Sequence, residues 1–216
     1  MQFDTAAYLR KATSRAKSDV ANKLISMLLH EISRRVVAII GQGVTDPNYT
    51  REVVLVFGDK CAYCQRALEA DRSAIEHLEG MNRFRIGLHI PGNVVVACKW
   101  CNSAKRHEDQ RPVLLLAQTG WESFLAHDGS KCTSNCKTCA YWKSIWPESD
   151  QRIAQLKAAR DRIVTFKTAY VQSNDWSTRT RANLSEGINV LYKTCQESAN
   201  SQITEAADAL FRQLIQ

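Results

Sequence analysis

The chain has 216 residues, 44% of them hydrophobic, and carries a formal charge of +7 at pH 7 with a pI near 9.0. That length suits one or two domains with a real core. No apolar run approaches the roughly 20 residues of a membrane span, and the basic balance points to a polyanionic partner.

In chain order, Leu24, Met27, Leu28, Ile32, Val36 and Ile39 recur at helical spacing. This predicts one long or two shorter amphipathic helices from about residue 5 to 40. Gly41, Gly43 and Asp46-Pro47 then end the region. Residues 1–40 carry a net charge of +4.

Next comes Cys61-Ala-Tyr-Cys64, answered after 33 intervening residues by Cys98-Lys-Trp-Cys101. Four thiolates at this spacing can close a tetrahedral zinc site, and a closed site is structural rather than catalytic. Zinc can contribute roughly 10–16 kcal/mol of apparent folding free energy in small peptides, more than so short a segment gains from its own apolar core. Buried free cysteines or disulfides are the alternative. Disulfides fit poorly, because no signal peptide opens the chain and the CxxC pairs look intracellular; a cytoplasmic protein is expected.

Between the pairs, Ala74-Ile75-Glu76-His77-Leu78 is a short apolar run holding two ionisable groups, and Asn93-Val94-Val95-Val96-Ala97 is β-branched. Gly80, Gly87, Pro91 and Gly92 punctuate the connection, and Lys99 to about His107 favours a helix. The local order is strand, loop, strand, helix, with a thiolate pair at each end.

A second cluster follows at Cys132, Cys136 and Cys139. With His127 or Cys195 as the fourth ligand it would make a second zinc site. Its CxxxCxxC spacing also resembles the cluster-binding motif of radical S-adenosylmethionine enzymes. Such enzymes need a half-barrel after the motif, whereas only 77 residues follow Cys139 and they read as helices. Plain buried or surface cysteines remain a third option.

Beyond Pro147, Ile153, Leu156, Ile163, Phe166 and Tyr170 predict a helix. A polar break is expected at Ser173-Asn174-Asp175, then a helix through Leu184, Ile188, Leu191 and Tyr192, and a final one ending in Leu210, Phe211 and Leu214. Residues 150–182 again carry net +4, while 183–216 are mildly acidic. The two basic stretches flank the cysteine-bounded unit, as phosphate-tracking surfaces or as two solvated helix faces.

Cys61, Cys64, Ile75-Glu76-His77-Leu78, Asn93-Val94, Cys98, Cys101-Asn102 and Lys105 together resemble the zinc-bearing branch of the HNH nuclease family, over roughly residues 57–107. The resemblance implies a ββα-metal fold that hydrolyses phosphodiester bonds with a divalent cation. It implies His77 as general base, Glu76 and Asn102 as ligands of Mg²⁺ or Mn²⁺, and Asn93 as the brace that holds the loop and the His77 imidazole. Two departures stand out: Glu76 replaces the commoner aspartate, and Arg106 stands where many relatives have glycine. His89 and His107 rival His77 as ligand or base. Read without the resemblance, Glu76 is a solvated surface carboxylate, Asn93 a turn residue and Asn102 a polar residue of the first helical turn.

The expected fold class is α+β, mostly helical: a central zinc-stapled ββα-metal nuclease core between N- and C-terminal helices. The expected divisions are a helical region at 1–50, the core at 51–112, a cysteine-rich connection at 113–147 and a helical region at 148–216. The expected function is a metal-dependent endonuclease on double-stranded DNA, of restriction, defence or mobile-element type, whose helical arms could pair two protomers. The competing readings are a non-catalytic zinc-stapled nucleic-acid-binding module and an RNA-directed nuclease or toxin.

Overall fold

A computed structural model describes the backbone of residues 5–110 and 119–214, and the side chains of 19–110, 119–170, 183–210 and 212. The side chains of Arg10, Lys11, Arg15, Lys17, Arg179, Arg181, Phe211 and Leu214, and residues 113–118 of the cysteine-rich connection, lie outside the described residues. The described chain is mostly helical, with one two-stranded antiparallel sheet.

Helix α1 (Thr5–Ile40) is a single element and stops at Gly41, which adopts a φ of +72°. Helix α2 (Pro47–Phe57) starts where Asp46 accepts a 2.8 Å hydrogen bond from Asn48 N, with Pro47 in the first turn. A carboxylate cap and a proline with preset φ both favour helix entry there.

A short 3₁₀ turn (Ala70–Arg72) leads into β1 (Ser73–His77), which pairs with β2 (Val94–Cys98). The register sets Ile75 opposite Val96 and His77 opposite Val94. The long 78–93 connection is stitched by one side chain. Asn93 Oδ1 accepts from Glu79 N at 2.8 Å, while its Nδ2 donates to Leu88 O at 2.7 Å and Glu79 O at 3.1 Å. The fold-back is so close that a Cβ at Gly87 would lie 1.8 Å from Glu79 O. Only glycine fits there.

Helix α3 (Lys99–Asp109) continues directly from β2 and completes a ββα unit. Helices α4 (Gly120–Leu125), α5 (Lys137–Ile145), α6 (Ser149–Thr168) and α7 (Val171–Leu214) follow. Thr119 and Glu122 form a reciprocal capping box at the start of α4. The expected break at Ser173–Asp175 falls inside α7; the chain breaks earlier, between Thr168 and Val171. The reason lies in Tyr170, which packs on Phe166 and Tyr49 and donates its hydroxyl to Glu52.

Burial divides into two apolar cores. One gathers Tyr49 and Phe57 of α2, the four cysteines of the hairpin unit, Trp121 and Phe124 of α4, Trp142 of α5 and Leu156, Ile163 and Phe166 of α6. The other joins Ala21, Ile25, Leu29 and Val36 of α1 to Ile188 and Tyr192 of α7, with Ile86, Leu88 and Ile90 of the hairpin connection between them. The connection after β1 is thus held from the α1 side. No helix among the described residues is long and apolar enough to cross a membrane.

Candidate functional site

Cys61, Cys64, Cys98 and Cys101 are all buried, with their sulfurs within 4.8 Å of one another. Cys64 Sγ lies 3.8 Å from Cys98 Sγ, and a tetrahedron with Zn–S bonds of 2.3 Å has edges of about 3.8 Å. The first pair sits on a turn in which Cys61 N donates to Arg66 O at 2.9 Å and Gln65 takes a φ of +58°. In the second pair Cys98 is the N-cap of α3, and its sulfur accepts from Cys101 N at 3.4 Å. The positive end of the helix favours thiolate there. Hydrogen bonds from Cys101, Cys61 and Cys64 hold the Cys98 thiol far below its ordinary range. Such a sulfur is ready to bind a cation.

His127, Cys132, Cys136 and Cys139 form a second group on the same scale. His127 Nδ1 lies 3.1 Å from Cys136 Sγ and 3.2 Å from Cys132 Sγ. Cys136 is the N-cap of α5, as Cys98 is of α3. Burial pushes the Cys136 thiol up, but hydrogen bonding from Cys139 and the neighbouring His127 outweigh it and hold it at about 7. Cys195, the rival for the fourth place, packs instead against the α1–α7 core. Both groups have the donor set and spacing to hold zinc.

Two contacts join the groups. Tyr141 of α5 places its hydroxyl 3.0 Å from Cys101 Sγ. From α3, the fully buried Glu108 sits 3.3 Å from His127 Nε2 and accepts from Ser123 Oγ and Thr138 Oγ1 at 2.7 and 2.5 Å. Burial raises the Glu108 carboxyl, but His127, Thr138 and Ser123 overcome it and hold it at about 2. A carboxylate behind a ligating histidine fixes the ring and its tautomer. Neither Tyr141 nor Glu108 stood out in the sequence, since no spacing rule links them to cysteines on other elements.

A groove of about 880 Å³ opens between α1 and α3, with Glu76, His77 and Asn102 among its lining and Arg83, Arg106 and His107 beside them. Glu76 is buried, not a surface carboxylate. Its Oε1 lies 2.8 Å from Lys105 Nζ and accepts from Tyr63 Oη at 3.1 Å. Burial raises the Glu76 carboxyl, and Lys105 opposes that shift. Lys105, itself buried, also donates to Asp109 Oδ2 at 2.9 Å and to His77 O at 2.8 Å. Asn102 Nδ2 donates to Ile75 O at 3.2 Å, a bond that does not use its amide oxygen.

The His77 imidazole meets His89, Nε2 to Nδ1 at 2.9 Å. Burial, then His89, Lys105 and His30, depress the His77 pKa to about 3, so the ring is neutral at pH 7. Asn93 spends its amide on the backbone of Glu79 and Leu88 and so braces the connection rather than touching the imidazole. His107 is exposed and lines the same groove from α3. Comparisons with protein-family models, with curated proteins and with solved structures return no match.

Proposed function

We propose that the chain is an HNH-type nuclease, a metal-dependent phosphodiester hydrolase whose substrate is double-stranded DNA. The supporting observation is that Glu76, His77 and Asn102, drawn from β1 and α3, line one groove flanked by Arg83 and Arg106. Carboxylate and amide oxygens are hard donors that suit Mg²⁺ or Mn²⁺. Glu76 and Asn102 would hold that cation, which when bound neutralises charge at the scissile phosphate and leaving oxygen.

His77, which lines the groove, is the base that takes the proton of the attacking water. Arg83 and Arg106 give the phosphate backbone a cationic wall. The two cysteine groups act as closed zinc sites that hold the frame and leave the chemistry to the groove.

A second reading, a zinc-stapled nucleic-acid-binding module without cleavage, is favoured by one observation: Glu76 Oε1 is engaged by Lys105 and Tyr63. The test is incubation of the zinc-loaded protein with supercoiled plasmid and Mg²⁺ or Mn²⁺, beside His77→Ala and a structured RNA. Metal-dependent DNA products absent from His77→Ala are expected. DNA binding without any nicking would instead support the binding module, and cleavage of RNA alone would move the substrate to RNA.

A further inference from the structure

We propose that His89 is the positioning residue for His77, fixing the tautomer in which Nε2 carries the proton and Nδ1 keeps a free lone pair. This rests on the reading of His77 as the base.

The geometry starts from the 2.9 Å separation of His77 Nε2 and His89 Nδ1. A neutral imidazole has one donor and one acceptor nitrogen, and at 2.9 Å the two facing nitrogens of these part-buried rings share one proton between them. One ring must therefore donate, and two arrangements are available. In the first, His77 Nε2–H donates to His89 Nδ1, and both rings hold their proton on Nε2, the nitrogen remote from the backbone that a neutral histidine intrinsically prefers. In the second, both rings carry the proton on Nδ1, the disfavoured tautomer. The first is lower in energy at both residues. It leaves His77 Nδ1 as the nitrogen able to accept a proton.

His89 can set that orientation because it is itself held. Its backbone N–H donates to Ser33 Oγ at 2.8 Å, and Ser33 in turn donates to Leu29 O at 2.6 Å within α1. Its neighbours Leu88 and Ile90 are buried in the α1–α7 core, and Leu88 O is taken by Asn93. The His30 ring lies 5.6 Å from that of His89 on the α1 side. Helix α1 therefore reaches the base through Ser33 and His89. An element outside the ββα unit becomes part of the site's alignment.

The experiment is ¹⁵N–¹H correlation of histidine side chains in the full-length, zinc-loaded protein, with cleavage kinetics alongside. In the unaltered chain His77 is expected as the Nε2–H tautomer with unprotonated Nδ1. His89→Ala should give mixed tautomers and a fall in kcat of at least about tenfold with KM little changed. His89→Asn, whose amide oxygen can accept near the position of Nδ1, should restore both. An Nδ1–H tautomer in the unaltered chain overturns the proposal, and so does a His77 tautomer that survives His89→Ala. The tautomer is read without turnover. A chain that never cleaves thus defeats the nuclease reading while the spectrum still decides the role of His89.

Discussion

Glu108 Oε2 lies 3.3 Å from His127 Nε2, and the opposite nitrogen of that ring faces the sulfurs of Cys136 and Cys132 at 3.1 and 3.2 Å. A buried carboxylate, an imidazole and thiolates in that order are a donor set that could hold a metal ion, with the carboxylate as the support behind the histidine. Glu108→Gln should lower zinc affinity at this group by about 10–100-fold and spare the four-cysteine group. Chelator competition followed by metal counting measures it. Equal retention of both zincs would remove Glu108 from the metal centre.

Tyr141 offers the reciprocal test, since its hydroxyl rests 3.0 Å from Cys101 Sγ. Tyr141→Phe keeps the ring and deletes the donor. A hydrogen bond to a charged acceptor contributes about 1.5–3 kcal/mol, so zinc at the first group should be released faster. Native mass spectrometry over a chelator time course reads this directly, and unchanged release would mean that the contact carries no energy.

Lys105 lies between Glu76 and Asp109 at 2.8 and 2.9 Å with almost no solvent exposure. Lys105→Met strips buried Glu76 of its cation and leaves Asp109 only Arg85, 4.0 Å away, which costs about 3–5 kcal/mol. Urea denaturation should show the loss, and Glu76→Gln added to it should return part of the stability. Should the double variant be no more stable than the single one, the penalty does not come from the stranded charge.

The depressed His77 pKa makes a pH prediction with a definite sign. Above pH 6.5 the ring is neutral in folded and unfolded chain alike, and its contribution is fully retained. As pH falls from about 6.5 toward 3, the unfolded chain takes up the proton first, so stability declines by at most about 1.4 kcal/mol per pH unit. Between pH 6.5 and 5, in buffer without added divalent cation, His77→Asn should show a shallower decline than the unaltered chain. Parallel curves would place the His77 pKa near its ordinary value.

What was readable in the sequence followed from local rules. The CxxC pairs, the β-branched run at Val94–Val96 and the helix after Cys98 are spacing and propensity features, and each sits in its expected element. Asn93 fell at the entrance of β2, and its bracing of the loop was also implied by the motif. Contacts between distant positions were not readable. Nothing local ties Tyr141 to Cys101, Glu108 to His127 or Ser33 to His89, because each pair meets only after helices pack. The continuity of α7 is not readable for a related reason. Ser173–Asp175 has weak helix propensity, but the chain had already turned at Tyr170, so no second turn was needed there.

Helix α3 is only 11 residues long, about 16 Å at 1.5 Å per residue, yet it is fastened along its whole length. Cys98 and Cys101 hold its first turn, Lys105 is pinned to β1 near its middle, and Glu108 ties its last turn to His127. A rod anchored at both ends and the centre can neither slide nor roll by even one residue without pulling apart one of the two cysteine groups. The wall carrying Asn102, Arg106 and His107 is therefore a rigid template, and whatever enters the groove must do the bending.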